Sequence, residues 1–173
     1  DCSAELLSCD RIDLECRCLD TICDVYLNEQ CIGHGENAHL KYAFSVKPYL
    51  REHNTIRILF HSPVNYVKEK QAVEKCPRNS NGQDGIPHIR KPQCHFGWDW
   101  GPVLPPSGIS GDIAVVGYNR AKISDVCIEQ THSDNSVRLD LHTVLDCFSD
   151  KTDLYCCVRV LSPENQVLFD ETN

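Results

Sequence analysis

The sequence predicts an all-β, cysteine-rich protein, and three observations support this fold class. Short runs of alternating apolar and polar residues are separated by clusters of Gly, Pro, Asn, Asp and Ser, a pattern typical of strands joined by turns. Only residues 64–73 have the apolar spacing of a helix, which would make about two turns. Twelve of the 173 residues are cysteines, a density typical of disulfide-stabilised domains.

The first 120 residues are predicted to form five strands and the single helix, and residues 28–30 read as a turn. Turn-forming residues dominate between positions 76 and 88, so this stretch is predicted to be a loop. The predicted strands are residues 13–18, 22–27, 43–46, 55–61 and 113–118.

In the last 53 residues, strand-like runs and turn clusters alternate at a more regular spacing, and we predict a second domain there. Val137, Leu139 and Leu141 alternate with polar residues, which is expected of a sheet with one face in water. About 50 residues are too few for a complete seven-strand sandwich of ~100 residues. The predicted domains are 1–120 and 121–173, and the strands of the second are residues 124–131, 136–146, 154–161 and 166–169.

Both tryptophans of the chain lie in one short segment, FGWDWGP at 96–102. An indole face suits the C–H face of a sugar ring, and a carboxylate accepts hydrogen bonds from hydroxyl groups. The segment therefore predicts a binding loop centred on Trp98, Asp99 and Trp100, with Arg90 and Lys91 placed to hold the Asp99 carboxylate. We expect one indole to face the ligand and the other to anchor the loop. The competing interpretation is that both indoles are core, because Trp is mostly buried.

This segment carries a resemblance to a known family. Residues 89–102, IRKPQCHFGWDWGP, resemble the signature of the β-mannosidases of glycoside hydrolase family 2. Residues 18–28, CLDTICDVYLN, resemble the family strand G-L-D-T-x-A-x-V-x-L-N-G, and FSVKPYL at 44–50, NTIRI at 54–58 and the stretch 105–112 also match. The resemblance implies a jelly-roll-like β-sandwich that binds sugar, followed by a partial immunoglobulin-like sandwich.

The resemblance also implies what the chain lacks. The family cleaves glycosides with two carboxylates carried on a (β/α)₈ barrel of ~250 residues, and no such barrel fits in 173 residues. In the family, the tryptophan loop reaches the mouth of the active site, where the Asp and a neighbouring Trp help to hold the mannose. We therefore predict no catalytic residue, and a ligand-binding set of Trp98, Asp99, Trp100 and Arg90.

The cysteines are predicted to form disulfides in an oxidising compartment, and their pairing stays open. Cys16 and Cys18 lie on one face of a predicted strand and are too close in sequence for a zinc-binding pair. Cys156 and Cys157 point to opposite faces and are expected to have different partners. The cysteines are Cys2, Cys9, Cys16, Cys18, Cys23, Cys31, Cys76, Cys94, Cys127, Cys147, Cys156 and Cys157.

Composition excludes several classes of partner. The net charge is −8, and the only basic clusters are at 68–70 and 90–91, which argues against nucleic-acid binding. No apolar run approaches the ~20 residues that cross a bilayer. We expect neither a metal nor another cofactor. The start at Asp1, without methionine or a signal peptide, predicts a mature secreted chain.

Three functional hypotheses follow. The first is a secreted, non-catalytic β-mannosidase-like module that binds carbohydrate or another ring-bearing ligand. The second is a disulfide-stabilised structural subunit, or a processed fragment, of a larger glycosidase-like assembly. The third is an enzyme of unrelated chemistry on the same fold. Incomplete sandwiches leave open strand edges, so we also expect a homo-oligomer or a disulfide-linked partner chain.

Overall fold

The structure is a computed structural model that describes residues 1–77, 83–98, 100–149 and 153–172. The chain divides into two compact units, Asp1–Tyr118 and Asn119–Asn173. The described residues of the first unit form two three-stranded antiparallel sheets, a short two-stranded sheet and two α-helices. Those of the second unit form two antiparallel hairpins.

The first sheet of unit 1 has β1 (Arg11–Cys16) at its centre, between β5 (Tyr42–Ser45) and β8 (Ile113–Tyr118). Both neighbours run antiparallel to β1. Side chains alternate across a strand, so Ile12, Leu14 and Cys16 point to one face, and all three are buried. This face contributes one half of the core.

The second sheet has the order β4-β3-β6, built from β3 (Cys23–Leu27), β4 (Gln30–Gly35) and β6 (Ile56–Phe60). Asn28 and Glu29 both have positive φ, 48° and 70°, and connect β3 to β4 as a two-residue hairpin turn of the type that matches strand twist. The turn was predicted from the sequence, but β4 was not. Two glycines interrupt its apolar pattern, so no strand signal was visible.

A two-stranded sheet joins β2 (Leu19–Asp20) to β7 (Gly108–Ile109). The two larger sheets pack through a shared apolar cluster. Partly buried side chains of β4, β5, β6 and β8 pack against this cluster. Its buried members are Cys9, Ile12, Leu14, Cys16, Leu19, Cys23, Val25, Leu27 and Val46.

Two α-helices complete unit 1, α1 (Ala4–Ser8) and α2 (Pro63–Val73). The Ser62 hydroxyl accepts a hydrogen bond from the backbone N–H of Asn65, and Pro63 occupies the first turn, where its missing N–H has no partner to lose. The predicted helix is therefore confirmed, with an earlier start. No helix among the described residues is long and apolar enough to span a membrane.

Unit 2 pairs β9 (Ala121–His132) with β10 (Val137–Cys147) and β11 (Cys157–Leu161) with β12 (Val167–Thr172). The four predicted strands are confirmed, but the prediction of one dry face is wrong. None of the described residues of this unit is buried, and Val137, Leu139 and Leu141 are 39–51% exposed. Each hairpin has only two strands, so few neighbouring side chains shield the apolar residues from water.

Candidate functional site

The two tryptophans form an exposed pair on the surface of unit 1. Trp98 is 50% exposed and Trp100 is 84% exposed. Their ring centroids are 5.7 Å apart and their planes are tilted by 46°. The interpretation of both indoles as core is therefore wrong, and so is the expectation that one of them anchors the loop. Asp99, between them, lies outside the described residues.

Phe96 anchors this loop in place of a tryptophan. Its side chain has no exposed surface and packs with Val67 of α2, Ile86 and Ile89 in a second apolar cluster. Val103, on the other side of the tryptophans, packs against the same cluster. The loop is thus held by apolar contacts at both ends, which leaves the indoles free to face solvent.

The backbone at Gly97, where the loop begins, lies close to the backbone at Pro102, where the loop ends. The φ of Gly97 is +75°, in the region that L side chains rarely adopt. A Cβ atom at this position would lie 2.9 Å from the carbonyl oxygen of Pro102, too close for ordinary contact. The backbone N–H of Gly101 donates a 3.3 Å hydrogen bond to the carbonyl oxygen of Trp98. Glycine at position 97 therefore permits the close approach that projects the indoles outward.

A buried ion pair lies at the base of the loop. The Lys91 ammonium group contacts the carboxylate of Asp20, and their side chains are 0% and 8% exposed. The same ammonium donates a 2.8 Å hydrogen bond to the carbonyl oxygen of Pro106. Lys91 is therefore a partner of Asp20, while the predicted contact with Asp99 falls on a residue outside the described ranges. Removing one partner of such a buried pair costs about 3–5 kcal/mol.

Two further groups surround the Asp20 carboxylate. The Thr21 hydroxyl donates a hydrogen bond to Oδ1 of Asp20. The Nδ1 atom of His95 lies 3.5 Å from Oδ2 of Asp20 and, within the described part of the chain, is buried without a hydrogen-bond partner. The sequence signal for this cluster was the LDT segment at 19–21, which had been interpreted only as part of a strand pattern.

Arg90 faces a different feature from the tryptophans. Its carbonyl oxygen accepts a 2.9 Å hydrogen bond from the N–H of Ala38, which fixes the backbone beside the loop at 36–41. The residue lines an open cleft of about 730 Å³ in which neither tryptophan takes part. The other lining residues are His34, Glu36, Asn37, Leu40, Tyr42, Tyr66 and His88.

A second polar group that the sequence did not reveal crosses the β4-β3-β6 sheet. Asp24 on β3 contacts Nδ1 of His34 at 2.5 Å and Nε2 of His61 at 2.8 Å. The hydrogen bonds from His61 and then His34 hold the pKa of Asp24 below its usual value. The contact between Asp24 and His34 follows from the β3–β4 register, which places the two residues opposite each other. It was not predictable without β4. Within the described ranges, no group of three or more His, Cys, Asp or Glu could hold a metal ion.

The twelve cysteines are free thiols in the structure. Cys9, Cys16 and Cys23 are buried, and six others are exposed. Burial, and secondarily the neighbouring Cys23, raises the pKa of Cys16 to about 11. Burial likewise raises the pKa of Cys23. Both shifts favour the protonated thiol over the reactive thiolate. The expected disulfide framework stays a prediction.

The packed sheets and the projecting loop define a β-sandwich domain of the galactose-binding-like class. A family model described as "Glycosyl hydrolase 2 galactose-binding domain-like" matches residues 1–111. The chain belongs to this family. The predicted all-β class and the resemblance to family 2 are thereby confirmed.

The chain is similar to curated β-mannosidases from animals and fungi. It is 33% identical over 118 residues to "Beta-mannosidase" of Capra hircus, covering 64% of this chain and 13% of the relative. It is 30% identical over 152 residues to "Beta-mannosidase B" of Aspergillus flavus, covering 83% and 18%. The chain therefore spans less than a fifth of the length of these relatives.

Solved structures agree with this assignment. The "Beta-D-Mannosidase from Dictyoglomus thermophilum" superposes with a TM-score of 0.84 at 26% identity, over 100% of this chain and 21% of that one. A Parabacteroides merdae β-glucuronidase superposes with a TM-score of 0.53 at 14% identity, over 94% of this chain and 19% of that one, which shows the fold alone. The 173-residue chain does not contain a catalytic barrel.

Proposed function

We propose that this chain is a non-catalytic β-mannosidase-like module that binds carbohydrate through Trp98 and Trp100. The observation that carries the proposal is the exposure of both indoles, 50% and 84%, on a loop that Phe96 and Val103 anchor. Tryptophan exposes a large apolar surface to water at a free-energy cost. A ring-shaped ligand would cover that surface.

The geometry of the pair suits a sugar ring. Planes tilted by 46° with centroids 5.7 Å apart form an open angle, so a pyranose can stack on one indole while its edge touches the other. Stacking on an aromatic ring contributes about 1–3 kcal/mol for nucleic-acid bases, and sugar C–H faces offer a comparable flat surface. The Asp99 carboxylate would accept two hydroxyl hydrogen bonds, strengthened by its charge.

The absence of catalysis is part of the same proposal. Retaining glycosidases need two carboxyl groups about 5–5.5 Å apart, and in this family both lie on the barrel. We also propose that the module acts outside the cell, because its cysteine density is typical of an oxidising compartment. The β-mannosidase relatives make a β-mannoside the first ligand to test.

Calorimetric titration with β-1,4-mannobiose tests the proposal. We expect saturable binding by the wild type, weakened about tenfold or more by Trp98→Ala and Trp100→Ala, since a lost stacking contact is worth more than ~1 kcal/mol. The matched control is Tyr155→Ala, which removes an aromatic ring that is 80% exposed in unit 2. Equal affinity of all four proteins, or turnover of a chromogenic β-mannoside by the wild type, would contradict the proposal.

The second hypothesis, a structural part of a larger glycosidase-like assembly, is favoured by one observation. Unit 2 exposes many apolar side chains, including Ile123 at 61%, Leu168 at 67% and Phe169 at 46%. Such surfaces mark sites of association. Sedimentation at several concentrations under non-reducing conditions tests it. A monomer of 19.6 kDa at every concentration counts against it.

A further inference from the structure

The buried Lys91 at the base of the tryptophan loop has two partners that are far apart in sequence. Its ammonium group meets the carboxylate of Asp20 on β2 and the carbonyl oxygen of Pro106, which follows the loop. Lys91 precedes the 3₁₀ helix Gln93–Phe96, which leads into the loop. One charged group therefore joins the start of the loop, the end of the loop and the strand beside it.

A buried charge at position 91 is not explained by the filling of space alone. Moving an ammonium and a carboxylate out of water costs free energy that their attraction only partly offsets, so a buried ion pair is weak evidence for a gain in stability. An apolar side chain of similar length would fill the same volume without that cost. It would not bind a carbonyl oxygen 15 residues away and a carboxylate at the same time.

The carboxylate that receives Lys91 is itself fixed. Asp20 pairs with Gly108 in the β2–β7 ladder, just beyond the end of the loop. The Thr21 hydroxyl donates a hydrogen bond to its Oδ1 atom. His95, one residue before the anchor Phe96, places Nδ1 at 3.5 Å from its Oδ2 atom. The ion pair thus connects the loop to the β2–β7 ladder of the sandwich.

We infer that Lys91 is the positioning residue of the tryptophan loop. Its contacts with Asp20 and Pro106 set the distance between the two ends of the loop and, through it, the mutual orientation of Trp98 and Trp100. The inference rests on the proposed function only for its consequence on sugar affinity. The orientation of the indoles is a property of the unliganded chain and is measurable without a ligand.

Circular dichroism measures that orientation directly. Trp98 and Trp100 are the only tryptophans of the chain, and two indoles 5.7 Å apart and tilted by 46° give an exciton couplet that depends on their angle. The test variant is Lys91→Met. Its matched control is Lys41→Met, which removes the lysine of the more exposed pair with Glu15 at 2.6 Å.

We expect Lys91→Met to lose most of the couplet and to bind β-1,4-mannobiose about tenfold more weakly, because a disordered site must be ordered on binding. Lys41→Met keeps the couplet and the affinity of the wild type. A folded Lys91→Met with the wild-type couplet overturns the inference.

A second variant separates positioning from stability. Since Lys91→Met leaves a buried carboxylate unpaired, the double variant Asp20→Asn/Lys91→Met removes both charges. We expect it to regain the urea midpoint of the wild type without the couplet. If the couplet returns together with stability, the pair is only structural and the inference is wrong. If the wild type binds no mannobiose while the variants lose the couplet, the proposed function fails and the positioning role stands.

Discussion

Truncation of Phe96 is predicted to destabilise the chain far more than truncation of Trp100, because the structure buries Phe96 and exposes Trp100. Phe96 has no exposed surface, and replacing such a core Phe by Ala costs about 3–5 kcal/mol in free energy of unfolding. Trp100 is 84% exposed, so about one sixth of its surface is covered. At ~25 cal/mol/Å² and up to ~250 Å² for a Trp side chain, Trp100→Ala should cost about 1 kcal/mol.

Urea unfolding followed by far-ultraviolet circular dichroism in the strand region measures both changes. The midpoint should fall far more for Phe96→Ala than for Trp100→Ala, with unchanged slopes. Phe96→Leu, which keeps most of the apolar volume, should cost about 1–1.5 kcal/mol and serves as the control. A loss of stability in Trp100→Ala as large as in Phe96→Ala would show that the indole is a core residue, and the proposed binding surface would not exist.

Three further predictions follow from the same structure. Gly97→Ala should lower the free energy of unfolding by about 1–3 kcal/mol, because it forces a side chain to positive φ, whereas Gly101→Ala, with open space around it, should match the wild type in the same urea assay. The pKa of Asp24 is lowered in the folded state, so its contribution to stability is present above the unfolded value of ~3.9 and is lost as the pH falls through the folded pKa. The stability difference between wild type and Asp24→Asn should therefore shrink on acidification, and a difference that grows would refute the linkage. In the reduced native protein, iodoacetamide should modify exposed Cys94 before buried Cys16, whose pKa is raised to about 11; equal rates by peptide mass spectrometry would contradict its burial.

The fold was largely predictable because its strands are short, alternating and bounded by turn residues. β1, β3 and β6 follow this rule. The structure shifts β1 two residues toward the N-terminus and shortens β3 and β6 by one and two residues. β4 was missed because glycine, cysteine and histidine carry little strand signal. β4 also packs through a tertiary contact, since Phe44 occupies the space beside Gly33, and no local pattern reveals that contact.

The loop was found from its composition, but its internal roles were assigned wrongly. One indole was expected to be the anchor because neighbouring side chains point in different directions, whereas Phe96 supplies that anchor and both indoles are exposed. The structure pairs Lys91 with Asp20, a contact that the sequence analysis did not predict. Contacts across 71 positions depend on sheet topology, which no local pattern reveals.

The measurement that tests the central claim most directly is a nuclear magnetic resonance titration of the two indole N–H groups. Each tryptophan gives one indole signal, and the chain contains only Trp98 and Trp100. On addition of β-1,4-mannobiose, we predict that both signals shift and saturate together, and that Trp100→Ala abolishes the response of the remaining signal. Indole signals that stay in place at saturating sugar, while signals elsewhere in the chain move or none move at all, would contradict the assignment of this loop as a carbohydrate-binding site.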